Sequence, residues 1–136
     1  MKALIVQFLR FGVVGTLGFL VDAGTLLLAV ALGAGPYGGR AASYVVAASA
    51  VYALNRVWTF RDRPGSAPMA RQWGAYLALN LIGFAANYGT YAALVAWTEI
   101  GARHLVLGVA AGSVAGMFLN FFLSRQLIFR PAPGAR

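Results

Sequence analysis

Four runs of mostly apolar residues, with Asp22 and Arg56 their only charged members, divide the chain, and short stretches carrying glycine, proline or charge separate them. The runs cover approximately 11–32, 41–60, 73–98 and 105–123. The first, 22 residues long, would rise about 33 Å as an α-helix, enough to cross the hydrocarbon of a bilayer. None alternates as the strands of a membrane barrel do, so each predicts a helix. The connections read as turns: Gly33 to Arg40 around Pro36, Arg61 to Arg71 with Asp62, Pro64, Gly65 and Pro68, and Glu99 to His104. The expected fold is an all-α membrane protein, a single domain over 1–136, with four transmembrane helices in a compact bundle.

The pattern also repeats. At an offset of 65, Gln7 meets Gln72, Gly18-Phe19 meets Gly83-Phe84, Asp22 meets Asn87, and Gly24-Thr25 meets Gly89-Thr90. At an offset of 69, Leu54, Arg56, Phe60 and Arg61 meet Leu123, Arg125, Phe129 and Arg130. Two helical hairpins, about 7–61 and 72–130, would enter the membrane in the same orientation, related by a pseudo-two-fold axis along its normal.

Composition sets the solvent. With 60% of residues hydrophobic and 10% charged, the chain cannot build a water-facing surface of the usual kind, about one-quarter charged. The net charge of +8 is scattered among apolar runs, which excludes a nucleic-acid face and points to anionic lipid headgroups. With four crossings, Lys2, Arg10, Arg56, Arg61, Arg63, Arg71, Arg125, Arg130 and Arg136 share one side, and Arg40 and Arg103 the other. That bias of nine to two places both termini in the cytoplasm. The start, MKALIVQFLRFG, has the charge of a signal peptide, but the apolar run continues past Asp22 without a processing site, so it is expected to be retained. Without cysteine there is no disulfide, thiolate metal site or thiol nucleophile. His104 stands alone and the serines lack a base nearby in sequence, so no metal, cofactor or catalytic group is expected.

Small residues mark packing faces. Gly108, Gly112 and Gly116 give two successive G-x-x-x-G spacings, with looser stripes at Gly12, Gly15 and Gly18 and at Ser43, Ala47 and Ala50. They read as packing within the chain or as a homodimer or partner contact. Among polar residues within the runs, Asp22 is the most costly to place in hydrocarbon. It reads either as a proton-coupled or headgroup-guiding carboxylate, or as an interhelical packing bond. Arg56 and Arg125 end the second and fourth runs, where a guanidinium either grips a phosphate bidentately or anchors the helix beside Trp58 and Phe60 or Phe129. Asn55, Asn87 and Asn120, with Asn80, offer amides to sugar or phosphate, or to neighbouring helices. Tyr76, Tyr88 and Tyr91 would line a sugar or isoprenoid path, while Trp73 and Trp97 mark the two interfaces of the third run.

The stretches FLRFGVVGTLGFLVDAGTLLL (8–28) and YALNRVWTFR (52–61) resemble the GtrA-like family of small four-span membrane proteins, and the likeness extends over about 7–130. Asn55 to Phe60 carries it most specifically; at the fourth run's end Ser124 stands where the family has asparagine and Leu127 where it has a tryptophan-like residue. The resemblance implies a bacterial cytoplasmic membrane, a role in cell-surface polysaccharide assembly, and a polyprenyl-phosphate-linked sugar as partner. The leading expectation is a non-hydrolytic translocase, with Arg56 and Arg125 on the phosphate and Asp22, Asn87, Asn55, Asn120 and Trp58 along the headgroup route. The alternative is an anchor or stabilising subunit for a membrane glycosyltransferase, since the family is similar to the small subunit supporting dolichol-phosphate mannose synthesis. A proton-coupled exporter of hydrophobic cations working through Asp22 is the third reading.

Overall fold

A computed structural model describes residues 2–131, except for the side chains at 36, 37, 40, 105, 106, 108 and 109. Gly108, Arg40 and Arg136, which entered the packing and charge arguments, lie outside the described residues. Helices run α1 (Lys2–Ala31), α2 (Gly35–Leu54), α3 (Met69–Trp97), α4 (Glu99–Arg103) and α5 (Leu105–Leu123). Two π-helical turns follow α2 and α5, at Asn55–Thr59 and Ser124–Ile128. The described residues include no strand.

The helices are longer than the apolar runs. α1 starts nine residues before the expected boundary because Lys2 to Arg10 contains no helix breaker. α2 starts at Gly35, inside the expected turn, because Pro36 falls in the first turn, where its missing N–H costs nothing. The reversal is confined to Gly33 and Gly35, with φ of 89° and 69°. α3 likewise starts at Met69, after Pro68, whose carbonyl accepts the Gln72 N–H at 3.0 Å. The third connection folds into α4, capped where Thr98 Oγ1 accepts the Gly101 N–H at 2.9 Å.

Among the described residues, α1 alone is long and apolar enough to cross a membrane on length and composition. α2 and α3 have the length, 20 and 29 residues, but glycine, tyrosine and amide residues dilute them. What the helices turn outward is apolar: Phe19, Leu27, Phe84 and Trp97 are each at least two-thirds exposed. Only Phe11, Val14 and Gly18 of α1 are buried, so most of its hydrophobic surface faces out, the reverse of a water-soluble helix.

The chain forms two compact units, Met1–Leu77 with Ile128–Arg136, and Ala78–Leu127. In the first, α1 and α2 are an antiparallel hairpin in close contact. A Cβ on Gly18 would collide with Val51, and one on Gly39 would come within 3.1 Å of Val30 and 3.3 Å of Leu26. The hairpin ends in an aromatic cluster: Phe60 stacks on Phe129 at 4.6 Å and 16°, with Phe11, Tyr52 and Tyr76 around them. Phe60 and Phe129 are wholly buried.

In the second unit, α3 and α5 approach at small residues. A Cβ on Gly112 would strike the Asn87 carbonyl, one on Gly116 would sit 2.8 Å from the Gly83 carbonyl, and one on Gly83 would overlap the Asn120 amide. Gly112 and Gly116 therefore pack within the chain. α3 occupies their face, which supports the reading of that stripe as packing within the chain.

Candidate functional site

The stretch Asn55 to Phe60 departs from α-helical spacing. The Phe60 N–H donates to the Asn55 carbonyl at 2.8 Å, five residues back, so the last turn of this helix is wide. Widened turns of this kind often sit at functional sites. Here the turn separates residues that are adjacent in sequence. Asn55 and Thr59 are buried inward, Arg56 leans on the start of α3, and Trp58 leans on α1.

Arg56 sits in a neutral cradle. Its Nη1 donates to Gln72 Oε1 at 2.6 Å, to the Pro64 carbonyl at 3.2 Å and to the Tyr52 hydroxyl at 3.4 Å. All of its hydrogen bonds among the described residues pass through Nη1, leaving Nε and Nη2 unspent. Those two nitrogens form the side edge of the guanidinium, the edge that meets two oxygens of a phosphate in parallel. The side chain is half-buried, at the mouth rather than inside the core.

The connection after the π-turn is tied down around this cradle. Gln72 Nε2 donates to the Ala67 and Pro64 carbonyls at 2.7 and 3.1 Å. The Gly65 N–H donates to the Arg130 carbonyl at 3.1 Å, and Arg63 Nε to the Phe129 carbonyl at 2.8 Å. Gly65 has φ of 79°, and a Cβ there would lie 2.6 Å from both Gln72 Nε2 and the Ile128 carbonyl. Only glycine suits that position.

Trp58 belongs to a different seam. The Arg10 guanidinium stands 5.5 Å above its ring and Nη1 reaches its carbonyl at 3.3 Å. Arg56 and Trp58 thus serve two faces of one helix end. Asn55 is wholly buried: Nδ2 donates to the Tyr76 hydroxyl at 2.8 Å, and Oδ1 is enclosed without a hydrogen-bond partner, as is Thr59 Oγ1. Its side chain lies inside the core, one residue before Arg56.

Asp22 is half-buried and far from this level. It lies twelve residues beyond Arg10 on α1, about 18 Å along the axis. One turn past the Gly18–Val51 contact, it comes level with Ala47 on α2, where Ala47 and Ala48 are buried. Asp22 and Arg56 therefore stand at different depths along the hairpin.

In the second unit, Asn87 Nδ2 donates to Ser113 Oγ at 3.4 Å, and the Asn120 amide lies over Gly83 with Oδ1 buried and unpartnered. Both amides lie between α3 and α5. Asn80 is half-buried, and Arg125 is half-buried as the second residue of its π-turn, the place Arg56 takes in the other. Tyr76 belongs to the aromatic cluster, whereas Tyr88 is exposed and forms a row with Phe84 and Tyr91 at 6.5 and 6.4 Å. Trp73 Nε1 donates to Ser49 Oγ at 2.8 Å, and Trp97 is exposed. The described residues contain no group of three histidine or carboxylate side chains able to hold a metal.

Sequence reasoning overlooked Gln72 as a site residue, reading it only as the edge of a run and a match to Gln7. A signal was available: Gln72, Tyr76, Leu79 and Gly83 recur at helical spacing and are all buried, so this glutamine starts the inward face of α3.

No curated protein matches the chain. The family model described as GtrA/DPMS, transmembrane domain, matches residues 10–130. That match includes both π-turns and the Arg56 cradle, and through it the chain belongs to the GtrA/DPMS transmembrane-domain family and is a membrane protein.

Proposed function

We propose that the chain moves a polyprenyl-phosphate-linked sugar from the cytoplasmic to the outer leaflet for cell-surface polysaccharide synthesis, without hydrolysis. The observation that carries this reading is the Arg56 guanidinium, fixed through Nη1 with its side edge unspent at a helix mouth. A phosphate docks on that edge while the isoprenoid tail stays in lipid, and Arg125 takes the corresponding role in the other half.

The reading includes four crossings, a bacterial cytoplasmic membrane and both termini in the cytoplasm. Two repeated hairpins are supported by corresponding contacts. Shifted by 65 and 69, Gly18–Val51 becomes Gly83–Asn120, each without room for a Cβ. Phe11–Phe60 becomes Tyr76–Phe129, with centroid distances of 6.1 and 6.2 Å and angles of 59° and 65°. The π-turns are displaced by the same 69 residues.

Vesicles containing the folded protein should transfer polyprenyl-phosphate sugar between leaflets faster than protein-free vesicles. Arg56→Gln should slow transfer by about ten- to a hundredfold, the loss of a charge-assisted phosphate contact of about 1.5–3 kcal/mol. Arg56→Lys should recover little of it, because an ammonium lacks the fork. Equal rates with and without folded protein would refute the translocase. The second reading, a subunit stabilising a membrane glycosyltransferase, draws on the row Phe84, Tyr88 and Tyr91, with Phe84 and Tyr88 exposed, an apolar face suited to a partner helix. It is favoured if Tyr88→Ala releases a co-purifying transferase while leaflet transfer is absent.

A further inference from the structure

Gln72 is 3% exposed, yet both ends of its amide are occupied. Oε1 accepts from Arg56 Nη1 at 2.6 Å and from the Tyr52 hydroxyl at 3.2 Å; Nε2 donates to the Ala67 and Pro64 carbonyls at 2.7 and 3.1 Å. Chemistry fixes this orientation. Turned over, the amide would point its N–H groups at a guanidinium donor and its oxygen at two carbonyls, losing its bonds to Arg56, Ala67 and Pro64.

Three consequences follow for Arg56. Its Nη1 protons are held by the Gln72 oxygen and the Pro64 carbonyl, with the Tyr52 oxygen alongside, which fixes the plane of the guanidinium. The remaining Nε–H and Nη2–H are left side by side, the arrangement that fits two phosphate oxygens. And the acceptors are all neutral, so the guanidinium is held without being discharged. A carboxylate at position 72 would hold the same nitrogen with a stronger bond and cancel the charge that attracts an anion.

We propose that Gln72 is the positioning residue that gives this site its preference for a phosphorylated lipid: it fixes the side edge of Arg56 toward the phosphate while leaving the arginine's full positive charge available. The proposal deepens, and rests on, the reading of Arg56 as the phosphate contact. The same residue shapes the connection, because Gln72 Nε2 fills the space where Gly65 would carry a Cβ. The glutamine therefore joins the site to the fold, and a test has to separate selectivity from stability.

The test compares binding of a long-chain polyprenyl monophosphate with the uncharged polyprenol of the same length. The full-length protein is placed in zwitterionic nanodiscs, with inorganic phosphate as a soluble competitor. Wild type should prefer the phosphorylated lipid. Arg56→Gln should abolish that preference. Gln72→Glu should lower it by about tenfold or more while polyprenol binding stays at the wild-type level, a split that loosened packing would not produce. Gln72→Met, which removes the acceptor without adding charge, should lower it severalfold and serves in place of Gln72→Glu if that variant does not fold.

If Arg56→Gln loses the preference while a folded Gln72→Glu, or in its absence Gln72→Met, keeps it, the role of Gln72 is overturned and the Arg56 reading stands. If Arg56→Gln itself retains the preference, both fall. Displacement by millimolar inorganic phosphate would reassign the site to a soluble anion and overturn its lipid selectivity; resistance to it supports the lipid phosphate.

Discussion

At the scale of single residues, Arg56 shows how one side chain can be both structural and available. The sequence posed a choice between a helix anchor and a phosphate contact, and the guanidinium serves the first through Nη1 while its other edge remains for the second. The arginine itself was legible because it ends an apolar run beside aromatic residues. Its cradle was not, since Pro64 acts through a backbone carbonyl and Gln72 through a bond sixteen residues back along the chain. Asn55 reads the same way in sequence whether it faces a ligand or the core, and its 2.8 Å bond to the Tyr76 hydroxyl was not legible from spacing. Gly65 makes the residue-level argument testable without any ligand. Gly65→Ala must place a side chain at φ of 79° against Gln72 and Ile128, at a cost of order 1–3 kcal/mol. Thermal unfolding in detergent should show the loss, and an unchanged midpoint would mean that the connection is not held as described.

At the scale of elements, helix pairing is governed by the absence of side chains. In water, α3 and α5 would be expected to meet through large apolar residues; in lipid, which is as apolar as leucine, close approach of the backbones supplies the attraction instead. The glycine spacing announced a packing face, and the helices themselves were legible from their apolar runs. What faces that surface was not legible, since a partner chain and α3 would use it alike. Gly112→Leu should therefore cost about 1–3 kcal/mol by overpacking against Asn87, seen as a lower unfolding midpoint at every protein concentration. A midpoint that falls with dilution in the wild type and is concentration-independent in the variant would point to a face between chains. Ser113→Ala, which deletes only the 3.4 Å bond from Asn87, should change stability by about 0.6 kcal/mol or less. Helix ends were the least legible, because the expected boundaries followed hydrophobicity whereas Pro36 and Pro68 allow the helices to begin in polar sequence.

At the scale of the whole molecule, the account joins a charge bias to a repeat. The absence of cysteine makes the orientation directly measurable. A cysteine introduced at Ser66 should react with an impermeant thiol reagent only from the cytoplasmic side, and one at Ala102 only from the outer side. Labelling of both from one side would contradict four crossings. The central claim, however, is that a lipid phosphate lies on the free edge of Arg56. It is tested most directly by phosphorus–nitrogen dipolar coupling in the protein labelled with nitrogen-15 arginine and loaded with polyprenyl phosphate, Arg56 being assigned by difference against Arg56→Lys. The account predicts coupling from the phosphate to Nε and Nη2 of Arg56, with Nη1 weaker. Bound phosphate that couples to other arginines and leaves the Arg56 nitrogens untouched would contradict it.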